Sequence, residues 1–350
     1  MIHIVPSIIA FFGTLLFIVY CYKFAISVDL VDRPNSRKKH LGEIPLIGGI
    51  AVVFGFSIAC LVSSRSMAEW RPLFLCIIPL AVVGVMDDHG DISVSKRIGI
   101  QVISCLVMIY HGNVRINNLG DLTGLGVPIT LSGIESLVTV FCVVGVINAL
   151  NLIDGIDGIC ASICLVTFGA IVALVKLTGT NASISLILYF SAALIAFLIV
   201  NLGLIRGLAK RVFLGDAGTT IIGFFLCWYL IQMSNGASAV FRPITAVWLL
   251  SLPIMDTLAV MIRRICSKQS PFLPGRDHIH HILLRVGFST QKVVVILVSL
   301  SASIAGIGVL GEIKNFSEPF MFYGILTIFA LYLIFTGKLN RNFKSNSCTR

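Results

Sequence analysis

The sequence predicts an all-α fold, a polytopic membrane helical bundle with about eleven transmembrane helices. Two observations favour this class. First, 57% of the 350 residues are hydrophobic and only 12% are charged, whereas soluble domains carry about 25% charged residues. Second, apolar runs of roughly twenty residues recur along the chain, each long enough to cross a bilayer as a helix. Barrel strands are not expected, because these runs do not alternate in polarity.

The predicted spans follow one another without room for a soluble domain between them. They cover residues 4–22, 46–63, 72–86, 97–111, 134–151, 159–176, 182–203, 217–233, 243–262, 291–311 and 319–337. The first is expected to be a retained span, because it has neither a basic start nor a small-residue cleavage site. We therefore expect one transmembrane domain over residues 1–337 and a basic tail over residues 338–350.

The lysines and arginines predict how the chain is oriented. When successive loops are assigned to alternate sides, 20 of the 26 basic residues fall on one side. The positive-inside rule makes that side cytoplasmic, so the N-terminus is expected in the periplasm and the C-terminus in the cytoplasm. The net charge of +10 then reflects topology and attraction to membrane lipids. Nucleic acid is not an expected partner, since no basic domain of a readable fold is present.

Motifs rich in aspartate and glycine adjoin three of the predicted spans, all on the predicted cytoplasmic side. They are MDDHGDIS (86–93), NLIDGIDG (151–158) and FLGDAGTT (213–220). In the second motif Asn151, Asp154 and Asp157 recur every three residues, a spacing that brings side chains together at a helix end. Gly155 and Gly158 have no Cβ, so another backbone or a ligand can approach closely. Asp216, just before a span, is expected beside a helix N-terminus, which favours anions such as phosphate.

A cluster of carboxylates at one membrane face predicts a bound cation. Mg²⁺ typically takes one or two carboxylates together with substrate phosphates, and Mn²⁺ is the alternative ion. Basic side chains on the same side are candidates to hold the remaining phosphate charge; they are Lys96, Arg263, Arg264 and Arg276. These parts are consistent with magnesium-assisted transfer of a phosphorylated group.

Other interpretations of single motifs stay open at this point. The segment PFLPGRDHIHHILL (271–284) has three histidines in four residues, which is compatible with a zinc site, although no H-E-x-x-H pattern occurs. DGIDG is similar to a calcium loop but lacks its closing Glu. Asp256 is predicted inside the ninth span, where a carboxylate is a functional candidate by default. It is either a support of the site or a local helix-packing partner, and it is the main argument for a transporter of an anionic solute.

The three aspartate motifs and the RDHIHH sequence of segment 271–284, taken in this order, resemble the polyprenyl-phosphate N-acetylhexosamine-1-phosphate transferases. VDLVDRPNSRKKHLGEIPLIGG (28–49) is also similar to the first cytoplasmic loop of that family, and the likeness covers residues 28–290. The resemblance implies that UDP-N-acetylglucosamine gives its sugar-1-phosphate to undecaprenyl phosphate with release of UMP, at the cytoplasmic face of a bacterial inner membrane. Such a product would start O-antigen or related cell-envelope glycan synthesis. A UDP-sugar of the fucosamine or quinovosamine type is the alternative donor.

The resemblance also implies roles for individual residues. Asn151 and Asp216 match the positions that hold Mg²⁺. Asp87 and Asp88 match the pair beside the lipid phosphate and, with Asp216, are the expected catalytic residues. The expected substrate-binding residues are Asp154, Asp157, Arg264, Arg276, His278, His280 and His281. A phosphate monoester has a second pKa of about 6, so we favour positioning over proton abstraction for Asp87 and Asp88, with deprotonation by Asp87 as the alternative. The oligomeric state, including a homodimer, and the glycan pathway stay open.

Overall fold

The computed structural model describes residues 3–34, 42–64, 66–90, 92–205, 210–235, 239–271 and 275–347. This part of the chain forms thirteen α-helices and two short β-strands. They are α1 (Ile4–Ser27), β1 (Val31–Asp32), β2 (Ile44–Pro45), α2 (Gly48–Val62), α3 (Met67–His89), α4 (Val94–Tyr110), α5 (Glu135–Ile153), α6 (Ile159–Leu177), α7 (Ser185–Asn201), α8 (Gly215–Asn235), α9 (Pro243–Leu249), α10 (Ser251–Cys266), α11 (Ile279–Val286), α12 (Thr290–Ile313) and α13 (Glu318–Ser347). The predicted all-α class is confirmed.

Each of the eleven predicted spans coincides with a helix or, for the ninth, with a pair of helices. By length and apolar composition, seven single helices in the described residues could cross a membrane, namely α1, α3, α5, α6, α8, α12 and α13. The bent pair α9 and α10 could be an eighth. Helices α2 and α7 are apolar but have only 15 and 17 residues. The protein is therefore a multi-pass membrane protein with seven or eight candidate spans, and the count of eleven is not confirmed.

The ninth predicted span is not the continuous helix that its apolar run predicts. It is divided at Leu250 into α9 and α10, whose axes differ by 80°. Pro253 has no N–H, so it cannot donate to the carbonyl of Leu249 four residues earlier. That carbonyl instead accepts a hydrogen bond from the Thr167 hydroxyl at 2.9 Å. The free carbonyl at the break is thus satisfied by a neighbouring helix, as membrane proteins require.

The chain forms two compact units. The first contains residues Met1–Arg115, Ile134–Asn151 and Asn181–Gln232. In it α1 packs against α2 and α7, and α3 packs against α4. Its core holds stacked aromatic rings, with the Phe190 and Phe225 centroids 3.9 Å apart and Phe56 edge-on to both. The loop predicted over residues 22–45 includes the antiparallel pair β1–β2, in which Val31 faces Pro45.

A close contact between backbones places α3 beside the start of α8 in the first unit. A Cβ added at Gly84 on α3 would lie 2.3 Å from the Cα of Ala217 on α8, a distance that atoms do not tolerate. Small residues at such crossings let membrane helices approach closely. Because Gly84 lies one turn before the end of α3, this crossing brings the last residues of α3 next to the first turn of α8.

The second unit contains residues Ile116–Gly133, Leu152–Thr180 and Met233–Arg350. In it α12 packs against α6 and α9, and α13 packs against α10 and α11. The Trp248 indole N–H donates to the Met321 carbonyl at 3.1 Å, which ties α9 to α13. Helix α11 lies in a stretch that the sequence predicts as a loop. Its eight residues bury Ile279, Ile282 and Leu283, a pattern too short to be separated from the loop by periodicity.

Candidate active site

Asp87 lies near the C-terminal end of α3 and is almost fully engaged by its neighbours. Its Oδ1 accepts from the Ile92 N–H at 2.9 Å, and its Oδ2 accepts from Nη1 of Arg97 at 2.9 Å. The side chain is only 5% exposed. A buried carboxylate needs such partners, and here one of them is a full positive charge.

Asp88, the next residue of α3, has its side chain against the first backbone N–H groups of α8. Its two carboxylate oxygens accept from the backbone N–H groups of Asp216 at 2.7 Å and of Ala217 at 3.2 Å. The first N–H groups of a helix have no partner within it and carry a partial positive charge. The sequence predicts an anion at this position. The group found there is the carboxyl group of Asp88, a residue of the protein itself.

Asp216 is the second residue of α8, which confirms its predicted position at a helix N-terminus. Its Oδ1 accepts a short hydrogen bond from the Asn151 side-chain amide, and Asn151 also donates to the Thr219 hydroxyl at 3.1 Å. Its Oδ2 lies 3.6 Å from Nη1 of Arg97, and its side chain is 41% exposed. Asp216 is therefore far more accessible than Asp87.

These contacts bring four of the predicted residues into one cluster in the first unit, which we call the aspartate cluster: Asp87, Asp88, Asp216 and Asn151. Arg97 joins it and is the residue that sequence reasoning missed. The neighbouring Lys96, a predicted candidate for phosphate binding, has an exposed side chain. The sequence contains a weak signal for Arg97, since it follows the MDDHGDIS motif on the predicted basic side.

The donor set of the aspartate cluster fits a hard divalent cation. Two of its carboxyl groups, those of Asp87 and Asp216, share the single guanidinium of Arg97. Asn151 and Asp216 offer oxygen atoms of the kind that Mg²⁺ prefers. Within the described residues, however, no three His, Cys, Asp or Glu side chains are arranged to hold a metal together. Asn151 and Asp216 would therefore supply only part of a coordination shell, which substrate phosphates and water would complete.

Asp154 and Asp157 lie in the loop between α5 and α6, in the second unit. Helix α5 ends at Ile153, so the spacing argument for side chains at a helix end applies to Asn151 and not to these two aspartates. Both are half-buried. They are not on a common helical face, because the chain turns between them.

Gly155 in this loop packs directly against His280. A Cβ at this position would lie 2.3 Å from the Nε2 atom of His280, so any side chain would displace the imidazole. The group that approaches Gly155 is thus a side chain, whereas the sequence predicts a backbone or a ligand there. This contact also brings the NLIDGIDG loop and the HIHH segment together within the second unit.

His278 is held by a buried carboxylate. Its Nδ1 lies 2.8 Å from Oδ2 of Asp256, while Oδ1 of Asp256 accepts from the Ile279 N–H at 3.0 Å and from the Tyr332 hydroxyl at 2.9 Å. Since a carboxylate only accepts, Nδ1 carries the hydrogen and the Nε2 atom of His278 faces elsewhere. Asp256 thus contacts both the segment that carries the histidines (residues 276–281, the histidine segment) and, through Tyr332, helix α13.

His280 and His281 follow in the first turn of α11. His280 is buried, and neither of its ring nitrogens has a hydrogen-bond partner within the described residues. Burial lowers the pKa of His280 to about 3, helped by the neighbouring His281. Burial likewise lowers the pKa of His281 to about 4, together with repulsion from His278. Both imidazoles are therefore neutral near pH 7.

The two arginines predicted to bind substrate have different surroundings. Arg264 is buried; it donates to the Pro271 carbonyl at 3.1 Å and lies 3.7 Å from the Asp277 carboxylate. It holds the segment that leads to the histidines. Arg276 is exposed, and its backbone carbonyl accepts from Nη2 of Arg285 at 2.9 Å. Arg276 is the more accessible of the two for an anionic ligand.

Comparison with known proteins assigns the chain to a family. The model of glycosyl transferase family 4 matches residues 70–234.

The chain is also similar to proteins named undecaprenyl-phosphate alpha-N-acetylglucosaminyl 1-phosphate transferase. The relative from Yersinia pestis is 36% identical over 323 residues, which are 92% of this chain and 88% of the relative. The relative from Haemophilus influenzae is 37% identical over 331 residues, or 93% and 91%. The relative from Escherichia coli strain K12 is 36% identical over 323 residues, or 92% and 88%. Motifs, helical fold and similarity over most of its length agree, and the chain belongs to glycosyl transferase family 4, beside these 1-phosphate transferases.

Proposed function

We propose that this enzyme transfers N-acetylglucosamine-1-phosphate from UDP-N-acetylglucosamine to undecaprenyl phosphate and releases UMP. The relatives described above are named for the transfer of N-acetylglucosaminyl 1-phosphate to undecaprenyl phosphate. The observation that carries the proposal is the aspartate cluster, in which residues from three separate motifs and Arg97 meet around the start of α8. A cluster of this charge suits a phosphorylated substrate that arrives with a cation.

The reaction is a transfer between two phosphates. An oxygen of undecaprenyl phosphate attacks the phosphorus atom that bears the sugar. The bond from that phosphorus to the bridging oxygen breaks, and the bridging oxygen leaves with UMP. The lipid product is then a diphosphate carrying the sugar. Phosphoryl transfer of this kind depends mostly on alignment and charge neutralisation by the enzyme.

Asp87 and Asp88 act in this proposal through position and charge. Each carboxylate accepts two hydrogen bonds that hold it in place, which suits a positioning role better than proton abstraction. The lipid phosphate is mostly ionised near pH 7 and needs little help to lose a proton. Asp87 fixes Arg97, and Asp88 fixes the start of α8. Both therefore determine where Asp216 lies.

Asn151 and Asp216 are the residues we assign to Mg²⁺, with Mn²⁺ as the alternative ion. The exposed Asp216 carboxylate and the Asn151 amide oxygen match the ligand types of this ion. Bound there, the ion would neutralise charge on the diphosphate of the donor. Arg97 keeps Asp216 directed toward the cluster at 3.6 Å.

The donor contacts are assigned to the second unit. Asp154 and Asp157 would bind the nucleotide, with Asp157 on the uracil, and Arg264, Arg276, His278, His280 and His281 would lie along the sugar and diphosphate. Two features support this. The imidazoles of His280 and His281 are neutral, so they can donate one hydrogen bond each without needing a counter-charge. The exposed guanidinium of Arg276 suits a phosphate.

The proposal also includes the topology predicted from the basic residues. Eleven crossings would include the shorter helices α2, α4 and α7. The N-terminus would lie in the periplasm, and the active site and the tail from residue 338 would lie on the cytoplasmic side of the inner membrane. There the enzyme meets UDP-sugars and starts O-antigen or a related cell-envelope glycan.

UMP release from purified protein tests the proposal. The assay compares UDP-N-acetylglucosamine with UDP-sugars of the fucosamine and quinovosamine types, each with and without undecaprenyl phosphate and Mg²⁺. Release that requires the lipid, the ion and the N-acetylglucosamine donor supports it. Preference for another UDP-sugar would move the specificity to the alternative donor, and no release with any donor would reject the activity.

The transporter interpretation loses its main support. It depended on Asp256 as a lone carboxylate at membrane depth. That carboxylate is engaged by His278, Ile279 and Tyr332, so it is part of the support of the histidine segment.

A further inference from the structure

Three polar side chains form a stripe along the last helix, α13. Tyr332, Thr336 and Asn340 are spaced by four residues, which places them on one side of the helix. All three are buried, although α13 is apolar enough to cross a membrane. A buried polar side chain is costly unless it is hydrogen-bonded, so each of the three needs a partner on a neighbouring element.

Each member of this α13 stripe contacts a charged side chain. That side chain in turn hydrogen-bonds to the backbone of residues 276–279 or to the imidazole of His278. The Tyr332 hydroxyl donates to Oδ1 of Asp256 at 2.9 Å. The same Asp256 accepts from Nδ1 of His278 at 2.8 Å and from the Ile279 N–H at 3.0 Å. Tyr332 therefore acts on His278 through one intermediate residue.

The other two members repeat this arrangement with arginines. The Thr336 hydroxyl accepts from Nη1 of Arg263 at 2.7 Å, and Nη2 of Arg263 donates to the Asp277 carbonyl at 2.8 Å. The Asn340 side-chain oxygen accepts a hydrogen bond from Nη2 of Arg285 at 3.2 Å.

The same Arg285 nitrogen donates to the Arg276 carbonyl at 2.9 Å. Four consecutive residues, 276 to 279, are thus tied to three consecutive turns of one helix.

We infer that Tyr332, Thr336 and Asn340 of the α13 stripe are positioning residues. They hold residues 276–281 in the position that the reaction requires. The inference rests on the proposed function, because it assigns that segment to the donor. A carboxylate or guanidinium with two fixed partners holds its geometry more tightly than one with a single partner. Displacement of a catalytic loop by about 1 Å commonly costs on the order of a hundredfold in rate.

This places part of the control of donor binding outside the segment that the family model matches, residues 70–234. It also accounts for a helix that contributes no residue to the aspartate cluster. Its role is to hold the side chains that hold the histidines.

The test uses the full-length protein in detergent with variants that each remove one hydroxyl. Tyr332→Phe and Thr336→Val break two of the three links, and Thr336→Ser keeps the hydroxyl. The matched controls are Tyr323→Phe and Thr327→Val on the same helix. Thr327 is exposed and donates to the carbonyl four residues earlier at 2.8 Å, as Thr336 does, so this pair differs in the contact with Arg263.

Two readouts are measured per amount of folded protein. The first is the rate of trypsin cleavage after Arg276, identified by mass spectrometry, which reports local opening. We expect cleavage to be roughly three- to tenfold faster in Tyr332→Phe and Thr336→Val, the usual range for one lost hydrogen bond. The second is UMP formation, with KM for UDP-N-acetylglucosamine and kcat determined separately. We expect kcat/KM to fall roughly ten- to a hundredfold, while the controls and Thr336→Ser stay near wild type.

Cleavage rates equal to those of the controls would overturn the inference. Faster cleavage with unchanged KM and kcat would also overturn it, because the stripe would then only stabilise the fold. If the wild-type protein releases no UMP at all but the variants still open the loop, the proposed function fails while the anchoring of the segment stands.

Discussion

Arg97 on α4 and Asp87 on α3 form an ion pair with an N–O distance of 2.9 Å, in which Asp87 is buried and Arg97 is 36% exposed. The pair carries the positive charge of the aspartate cluster, and Arg97 also lies 3.6 Å from Asp216. Removing Arg97 would leave the buried Asp87 carboxylate without its counter-charge.

Arg97→Gln should therefore lower turnover strongly, by roughly a hundredfold, since it frees Asp87 and adds unbalanced negative charge beside the donor diphosphate. Arg97→Lys should retain part of the activity, because it keeps the positive charge. It should not retain all of it, because the lysine ammonium lacks the planar set of N–H donors of the guanidinium. UMP release measures both variants. Lys96→Gln, one residue earlier and exposed, is the control. Loss of activity in the control with normal activity in Arg97→Gln would transfer the role to Lys96.

Asp216→Asn should keep the fold and lose most of the activity. Asn has nearly the same shape but is neutral and a weaker ligand for a hard cation. We expect at least about a hundredfold loss in rate and a shift of the Mg²⁺ dependence to higher concentration. The measurement is UMP release across a Mg²⁺ titration. Glu69→Gln, at the opposite end of α3 from Asp87, is expected to change little. Wild-type rates of Asp216→Asn at low Mg²⁺ would remove this residue from the metal site.

Gly155→Ala should impair donor binding. The new methyl group would meet Nε2 of His280 at 2.3 Å, so the imidazole or the loop must move. We expect KM for the UDP-sugar to rise by roughly tenfold or more. The control is Gly169→Ala in α6, where an added Cβ meets nothing within 4 Å. Equal kinetics for the two variants would show that the contact with His280 has no part in binding.

Acidification should destabilise the protein through its buried histidines. Burial holds the pKa of His280 near about 3 and that of His281 near about 4, whereas an unfolded histidine has a pKa of about 6.5. Below that value the unfolded chain binds more protons than the folded one, so the free energy of unfolding falls as pH falls. The fall continues until the folded-state pKa values are reached.

The thermal midpoint in detergent, measured from pH 7.5 to 4.5, checks this. It should drop on acidification in the wild type and drop less in His280→Gln. His111→Gln, which changes an exposed histidine, should follow the wild type. A His280→Gln curve parallel to the wild type would assign the acid sensitivity to other groups.

Reporter fusions test the predicted topology. Eleven crossings place residue 120 outside and residue 350 inside, so an alkaline phosphatase fusion should be active at 120 and inactive at 350. A fluorescent reporter that matures only in the cytoplasm should give the reverse. The same result at both positions would reject eleven crossings and leave an even number between these points.

The helices could be predicted because membrane insertion depends on local properties. A run of apolar residues of sufficient length forms a helix almost wherever it occurs, and each of the eleven runs is helical in the structure. The break at Leu250 was not predicted. Pro253 alone does not show whether a helix bends there; the bend needs Thr167 to satisfy the carbonyl of Leu249.

The candidate site was predictable in its residue types and less so in its contacts. Asn151, Asp87, Asp88 and Asp216 stood out because carboxylates beside glycines are rare in so apolar a chain. Arg97 did not, because a basic residue on the cytoplasmic side is ordinary. Its role depends on the side chain reaching Asp87 across the turn between α3 and α4.

The sequence by itself determined the membrane class, the helical segments and the chemistry on offer, because these depend on residue type and near neighbours along the chain. Only the tertiary structure decided which groups meet. Asp88 lies 128 positions before the N–H group that it accepts from at the start of α8, and Tyr332 lies 76 positions after Asp256. Hydrogen bonds between such distant residues form only once packed helices bring them within about 3 Å, and no local pattern in the chain encodes that meeting.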